Sequence, residues 1–386
     1  MNVAPHIASR LAAYYFAFFA YAGVLVPYFA LYLAASGFSA AQIALVLAMP
    51  QIARIFAPGL WGWLADAWGA SYGGARRAIV VFSGLVLLGG FGSLQLIHGF
   101  AGIAAVMLAI GVLSAGALPI VEAITLSAVQ GRSGQYGPIR LWGSIGFILA
   151  VLGAGAWLDA RPAATVLDIV VALAAAVCVV SFGIPRLARA PAVSPLPTSL
   201  GAVIRRGDAL AFFAACFCMT VAHGALYAFY SIYLDAAGYS KTLIGALWTL
   251  GVVAEVVLFL RLPQLMRRFS LRALLLASFA CAVLRFLAIG WGVGSLAVLA
   301  AAQLLHAATF GAFHAAAVAA VHRMFPESLQ ARGQTLYSSL AYGLGGAAGT
   351  LIAGWTWDAL GPASSFAISA LFGAAGALLV AWKVRV

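Results

Sequence analysis

The sequence predicts an all-α membrane protein with twelve transmembrane helices in two pseudo-twofold-related six-helix bundles around a central cavity. Three observations carry this expectation. Hydrophobic residues make up 65% of the 386 positions and charged residues 8%, where a soluble domain carries about 25% charged residues. Mean hydropathy is accordingly high, at +1.07. Basic residues gather at alternate ends of the apolar runs, and the second half of the chain repeats the first.

A membrane-spanning helix needs roughly 20 apolar residues. Breaks at Gly, Pro and charge divide the chain into twelve such runs, near 10–35, 40–66, 78–98, 102–130, 137–159, 163–184, 208–235, 241–264, 272–291, 295–321, 333–358 and 361–382. The net charge of +12 would suit a nucleic-acid partner if it were clustered on one polar face. Its distribution argues otherwise. Arg10, Arg76, Arg77, Arg132, Arg140, Arg186, Arg189, Arg205, Arg206, Arg267, Arg268, Arg272, Arg323, Arg332, Lys383 and Arg385 fall at one set of span ends, and only Arg161 and Lys241 at the other. The positive-inside rule then places both termini in the cytoplasm, which fits a plasma (bacterial inner) membrane protein with no nucleic-acid role.

The short amino terminus runs into the first span without a small-residue cleavage site, so no removable signal peptide is expected. Cys178, Cys216, Cys218 and Cys281 sit in apolar runs without metal-ligand spacing and read as small buried hydrophobes. No metal or cofactor is expected. Residues 185–207, with four prolines and four arginines, read as an extended cytoplasmic linker. It separates an amino-terminal six-helix bundle, 1–184, from a carboxy-terminal one, 208–386.

The repeat appears in two blocks. Tyr32-Leu-Ala-Ala-Ser-Gly37-Phe-Ser39 returns as Tyr233-Leu-Asp-Ala-Ala-Gly238-Tyr-Ser240, an offset of 201, which also sets Ile43 on Ile244 and Arg54 on Glu255. Gly146, Gly155 and Asp159 return as Gly345, Gly354 and Asp358 at an offset of 199. Two six-span halves with both termini on one side are the pattern of transporters built from repeats, with substrate bound near the midplane.

Arg54 lies 12 residues before Asp66, about 18 Å along a helix and so near the middle of a ~30 Å hydrocarbon core. Arginine at that depth costs about 2.5–3.5 kcal/mol on insertion scales and needs a partner or a watery cavity. Glu255, at the symmetry-equivalent position, is the expected partner. Glu122 and Arg140 lie on successive spans joined by a short polar connection, so both can face one cavity.

The twelve spans, the central linker and the Gly62-Trp-Leu-Ala-Asp66 turn resemble the major facilitator superfamily over the whole chain. The family signature after the second span is Gly-x-x-x-Asp-basic-x-Gly. Here Gly62, Asp66 and Gly69 are kept, Ala67 replaces the basic residue, and Arg76-Arg77 arrive late. The resemblance implies a gating role for Gly62, Asp66 and Gly69, with Asp66 as a latch, and the repeat suggests the start of the eleventh span, near Gly333, as its partner.

Pro119-Ile-Val-Glu122 followed by Tyr136-Gly-Pro-Ile-Arg140-Leu-Trp-Gly143 is similar to the lactose permease and phenylpropionate permease group. That resemblance implies a substrate site at Glu122 and Arg140, with Phe147 as the stacking aromatic. It also aligns Arg285 with an intramembrane arginine used in proton coupling, and His306 with the histidine of a Lys-x-x-His-x-x-Glu motif. This chain reads Gln303-Leu-Leu-His306-Ala-Ala-Thr309, so the motif's acid is missing and proton coupling falls to Glu122 or Glu255. His306 and His314, eight apart, stand about 80° around a helix, and His223 is a third histidine within a span. Gly343-Leu-Gly345-Gly346-Ala-Ala-Gly349 lies in an apolar run with no preceding strand and reads as helix packing rather than a nucleotide loop.

The resulting expectation is a non-enzymatic secondary transporter working as a monomer by alternating access, with protons and a small molecule as its partners in the lipid bilayer. Arg54, Arg140 and Arg285 outnumber the deep acids, which favours an anion. Arg54-x-x-x-Pro58 and the 306–314 run resemble the phenylpropionate permease branch, which implies an aromatic carboxylate, with a sugar or nucleoside as the alternative. Multidrug export is less favoured, because Gly143 to Gly155 lacks the Gly-Pro-x-x-Gly-Gly run of drug–proton antiporters.

Overall fold

The computed structural model describes residues 4–71, 74–129, 133–186 and 200–385. Its helices are α1 (Pro5–Ala35), α2 (Ala40–Arg54), α3 (Ala57–Ser71), α4 (Ala75–Ser93), α5 (Phe100–Ser114), α6 (Ala117–Val129), α7 (Ser133–Asp159), α8 (Val166–Ser181) and α9 (Leu200–Ile204) in the first part. There follow α10 (Gly207–Ala222), α11 (Gly224–Ala236), α12 (Lys241–Arg268), α13 (Leu271–Gly292), α14 (Leu296–Leu304), α15 (Phe313–Met324), α16 (Gln330–Tyr337), α17 (Gly346–Leu360) and α18 (Pro362–Lys383). Two π-helices, Ala307–Ala312 and Ser338–Gly345, bridge α14 to α15 and α16 to α17. The fold is all-helical, and the protein is an integral membrane protein.

Among the described residues, eleven helical segments are long and apolar enough to cross a membrane, where the sequence reading expects twelve. The difference is the run Gln330–Leu360. It is helical throughout, but its Ser, Thr, Tyr, Trp and Gly content lowers its hydropathy below that of the other spans. The outer surface is apolar, as lipid requires. Trp63, Trp142, Trp291 and Trp355 are all exposed. At the ends of spans, Arg161 lies over the Trp157 ring at 4.5 Å and Lys383 over Trp382 at 4.6 Å, as at a membrane–water interface.

Two expectations about the second span are corrected. The span runs from Ala40 to Ala65 as expected, but the helix within it is broken after Arg54, because Pro58 lacks an N–H and its ring excludes the carbonyl four residues back, which is that of Arg54. Ile55 and Phe56 instead donate to the Ile52 and Ala53 carbonyls, at 3.1 and 3.2 Å. The Gly62–Asp66 segment is helix, not a turn, since α3 continues to Ser71. One mid-helix glycine costs only about 1 kcal/mol. Trp61 beside it is buried and donates from Nε1 to the Val112 carbonyl at 2.7 Å, which pins the helix. Of the proposed linker, 187–199 lies outside the described residues, and Leu200–Ile204 is a short helix rather than extended chain.

Contacts divide the chain into two compact units. The first comprises Met1–Phe38, Ile52–Ala192 and Ser240–Gly245, the second Ser39–Gln51, Val193–Tyr239 and Ala246–Val386. In the first, α1 is the central element, packed on α7 and α8, with Tyr14, Tyr15, Tyr28 and Phe29 almost wholly buried. In the second, α18 packs on α10 and α13, and α11 packs on α17. Gly224 meets Gly349 there backbone to backbone, with no room for a Cβ on either. That is the small-residue packing expected of the 343–349 glycines.

The repeat has a physical counterpart in each unit. Gly37 and Gly238 both adopt left-handed φ, +84° and +88°. Each ends a helix with the same pair of bonds: Gly37 to the Ala34 carbonyl and Phe38 to Leu33, Gly238 to Asp235 and Tyr239 to Leu234. This glycine C-cap is favoured because only glycine enters the left-handed region without cost. In the first unit Gly155 packs on the Lys241 carbonyl at the start of α12. In the second, Gly354 packs on the Ala40 carbonyl at the start of α2. The two offsets seen in the sequence, 199 and 201, thus belong to two faces of one repeated contact.

Candidate functional site

Among the described residues, a polar cluster lies inside the helices of each unit. In the first, Arg140 projects from α7 beneath α1. Its guanidinium carbon lies 4.0 Å from the Phe19 ring centroid and 5.3 Å from that of Tyr15. Both distances are within cation–π range. Tyr15 is fully buried, and its hydroxyl donates to Thr125 Oγ1 of α6 at 3.2 Å. Glu122, one turn before Thr125 on α6, and Tyr136 on α7 lie close enough for their charges to interact with Arg140. Gly143 makes this arrangement fit, because a Cβ there would stand 2.7 Å from Arg140 Nη1 and 2.8 Å from Phe19 Cδ2. Phe147, two turns beyond Arg140, sets its backbone against Gly23.

The second cluster is centred on Arg285 of α13, which is wholly buried. Its Nη1 donates to Thr309 Oγ1 at 2.9 Å and its Nη2 to Gln303 Oε1 at 3.0 Å. Thr309 lies in the first π-helix, whose wider turn is frequent at functional positions. Arg285 Nε, His306 Nδ1 and His223 Nε2 are buried without a hydrogen-bond partner among the described residues. Such groups cost about 1–3 kcal/mol each, which makes their concentration here a candidate site. His306 Nε2 stands 3.7 Å from Glu255 Oε2. That is too long for a hydrogen bond but short enough for an ion pair once the imidazole is protonated. His223 Nδ1 lies 2.8 Å from the Met219 carbonyl, and the ring meets Phe286 edge-on at 5.1 Å.

From Glu255 the cluster extends through the first π-helix into α15. The rings of His306, Phe310 and His314 stack in sequence, at 5.2 and 6.4 Å. A regular α-helix would turn these positions by about 40° per step, and the π-helix between them offsets that drift. His306 and His314 therefore share one face instead of standing 80° apart. His314 Nδ1 lies 3.0 Å from the Tyr342 hydroxyl in the second π-helix and 3.2 Å from that of Tyr337.

The sequence-derived site residues therefore fall into separate groups. Glu122 and Arg140 come together in the first unit, and Glu255, His306 and Arg285 in the second. Arg54 is exposed at the end of α2 and belongs to the first unit, whereas Glu255 belongs to the second. Gly62, Asp66 and Gly69 all lie in α3. The Asp66 side chain lies outside the described residues.

Sequence reasoning passed over the residues that hold these charges. Tyr15 and Phe19 were signalled only by the aromatic run Tyr14-Tyr15-Phe16-Ala-Phe18-Phe19. Gln303 and Thr309, at the positions where the lactose permease motif has a lysine and an acid, turn out to be the two acceptors for Arg285.

Comparison with known proteins fits this architecture. The model of the MFS_1 like family matches residues 8–368. The chain is 30% identical to the "Probable 3-phenylpropionic acid transporter" of Escherichia coli (strain K12) over 362 residues, 91% of each chain. It is 27% identical to the "Maltose permease" of Geobacillus stearothermophilus over 96% of this chain and 94% of that one. Among solved structures, a mutant of the nucleoside transporter NupG superposes with a TM-score of 0.86 at 17% identity, covering 98% of this chain and 100% of the other. That likeness is one of fold.

Proposed function

The chain belongs to the MFS_1 like family of major facilitator superfamily transporters, and from that premise we propose that it takes up a small aromatic carboxylate together with protons, by alternating access. It is a transporter and not an enzyme, and its partner is a small molecule. The observation that carries the substrate class is the Arg140 guanidinium lying over Phe19 and beside Tyr15. A guanidinium binds a carboxylate through two parallel hydrogen bonds, and the aromatic rings around it suit an apolar ring attached to that carboxylate. The relative named for 3-phenylpropionic acid supports the same class.

Glu122 shares Arg140's field in the empty protein. An arriving carboxylate takes that positive charge for itself, and Glu122 then takes up a proton. Glu255, opposite His306, is a second proton acceptor in the other unit. Substrate contact is assigned to Arg54, Glu122, Arg140 and Phe147 in the first unit and to His306 in the second, and Arg285 is assigned an indirect part, holding Gln303 and Thr309 from its buried position. Gly62, Asp66 and Gly69 belong to the gate. The protein works as a monomer in the bacterial inner membrane with both termini in the cytoplasm, and its repeat halves are 1–184 and 208–386, joined by the cytoplasmic linker 185–207.

Uptake of labelled aromatic acids, sugars and nucleosides into proteoliposomes, with and without an imposed proton gradient, tests the reading. Saturable, gradient-driven accumulation of an aromatic acid is expected. Accumulation of a sugar or nucleoside with no carboxylate uptake would overturn the substrate class, and carboxylate uptake indifferent to the gradient would overturn the coupling.

A further inference from the structure

A second basic site lies in the first unit, apart from the Arg140 cluster. Arg10 on the first turns of α1, Arg77 on the first turn of α4, and Arg186 after the end of α8 line one cavity of about 350 Å³ with Phe182, Gly183 and Ile184. No acidic side chain lines it among the described residues. Arg77 is held in place, because its Nη2 donates to the Phe182 carbonyl at 2.7 Å. The Arg10 stem runs beside Gly183, at the distance of ordinary van der Waals contact for a side chain there. Arg10 and Arg186 are exposed. Three arginines therefore line one space at the ends of α1, α4 and α8.

We propose that this cavity binds a phosphate ester, the headgroup of an anionic phospholipid. Three like charges around a cavity repel one another unless an anion sits among them, and a phosphate offers enough oxygens for bidentate bonds to more than one guanidinium. Basic pockets between spans at the membrane surface are where anionic headgroups dock. Exposed Phe82 and Leu85 of α4, with Val179 and Phe182 at the end of α8, supply apolar surface for the acyl chains. Occupancy ties the ends of α1 and α4 to the end of α8, on which both helices pack. The site is independent of the substrate reading and stands or falls without it.

The test is lipid binding by the purified full-length protein in a neutral detergent, titrated with phosphatidylglycerol, phosphatidylcholine or inorganic phosphate and read by native mass spectrometry and thermal midpoint. The R10Q/R186Q double variant leaves the Arg77–Phe182 bond in place, and R10K/R186K keeps the charge. Phosphatidylglycerol should bind the wild type at least about tenfold more tightly than R10Q/R186Q, at roughly 1 kcal/mol per basic residue. R10K/R186K should recover part of the loss, and phosphatidylcholine should not discriminate among the three. If inorganic phosphate binds the wild type as tightly as the lipid does and is lost in R10Q/R186Q, the site takes a free phosphate and the lipid assignment is overturned. Equal phosphatidylglycerol affinity in wild type, R10Q/R186Q and R10K/R186K overturns the site altogether.

Discussion

His306 Nε2 stands 3.7 Å from Glu255 Oε2, inside a helix bundle where an acid and a base are each expensive to bury. A proton on the imidazole makes the pair a salt bridge, and a proton on the carboxyl removes both charges. Glu122 and Arg140 offer the other coupled acid, in the other unit. E122Q and E255Q are therefore expected to lose proton-driven accumulation, individually or together, while retaining counterflow exchange in proteoliposomes. Normal accumulation by both variants would exclude symport through these carboxylates.

Removing the ring beneath Arg140 should weaken substrate binding without unfolding the unit. The cation–π contact is worth about 0.5–2 kcal/mol, so F19A should raise the apparent Kd for an aromatic carboxylate by roughly 2- to 30-fold. R140K keeps the charge but loses the planar fork and should weaken binding further. An unchanged Kd in both variants would move the substrate elsewhere.

Arg285 is fully buried, and two neutral acceptors hold it. Q303L removes one and should lower stability by about 1.5–3 kcal/mol, the worth of a hydrogen bond to a charged group, seen as a lower thermal midpoint. Q303E retains an acceptor oxygen and should unfold at or above the wild-type temperature. A Q303L midpoint equal to wild type would show that the Nη2 bond contributes nothing.

Asp159, at the end of α7, accepts hydrogen bonds from the Lys241 and Thr242 amides, at 2.6 and 3.2 Å. A carboxylate at a helix amino terminus satisfies free N–H groups and favours the helix dipole. D159A is expected to cost about 0.5–2 kcal/mol, and D159N, which keeps one acceptor, should cost less. Hydrogen exchange at the first turn of α12 is the direct measurement, with faster exchange in D159A than in D159N.

Much of the fold was legible in the chain itself. Spans of about 20 apolar residues declare themselves by composition, and Gly37 and Gly238 mark the same turn twice because no other residue enters that φ cheaply. The break at Arg54 was written in Pro58 and was missed. The helical path through Gly62 was also missed, since one glycine among helix-compatible residues stops nothing. Of the site, Glu122, Arg140, Glu255, Arg285 and His306 stood out as charges or histidines in apolar runs. Their neutral partners, Phe19, Tyr15, Gln303 and Thr309, did not, because such residues are unexceptional in any span.

By itself the sequence determined that this is a polytopic helical membrane protein with an internal repeat, and which few residues carry costly charges in its spans. Both are local properties, read from hydropathy over one span or from one residue's type. Only the tertiary structure decided which groups answer those charges. Helices that are apolar on most faces have no sharp amphipathic stripe, so their rotation, and thus what each side chain meets, is set by packing. Gly143 leaves room for Arg140 against Phe19, and a π-helix brings Thr309 to Arg285 and His306 into line with His314. The same packing set the start of α12 against Gly155 and the start of α2 against Gly354, pairings far apart in the chain that the repeat makes twice.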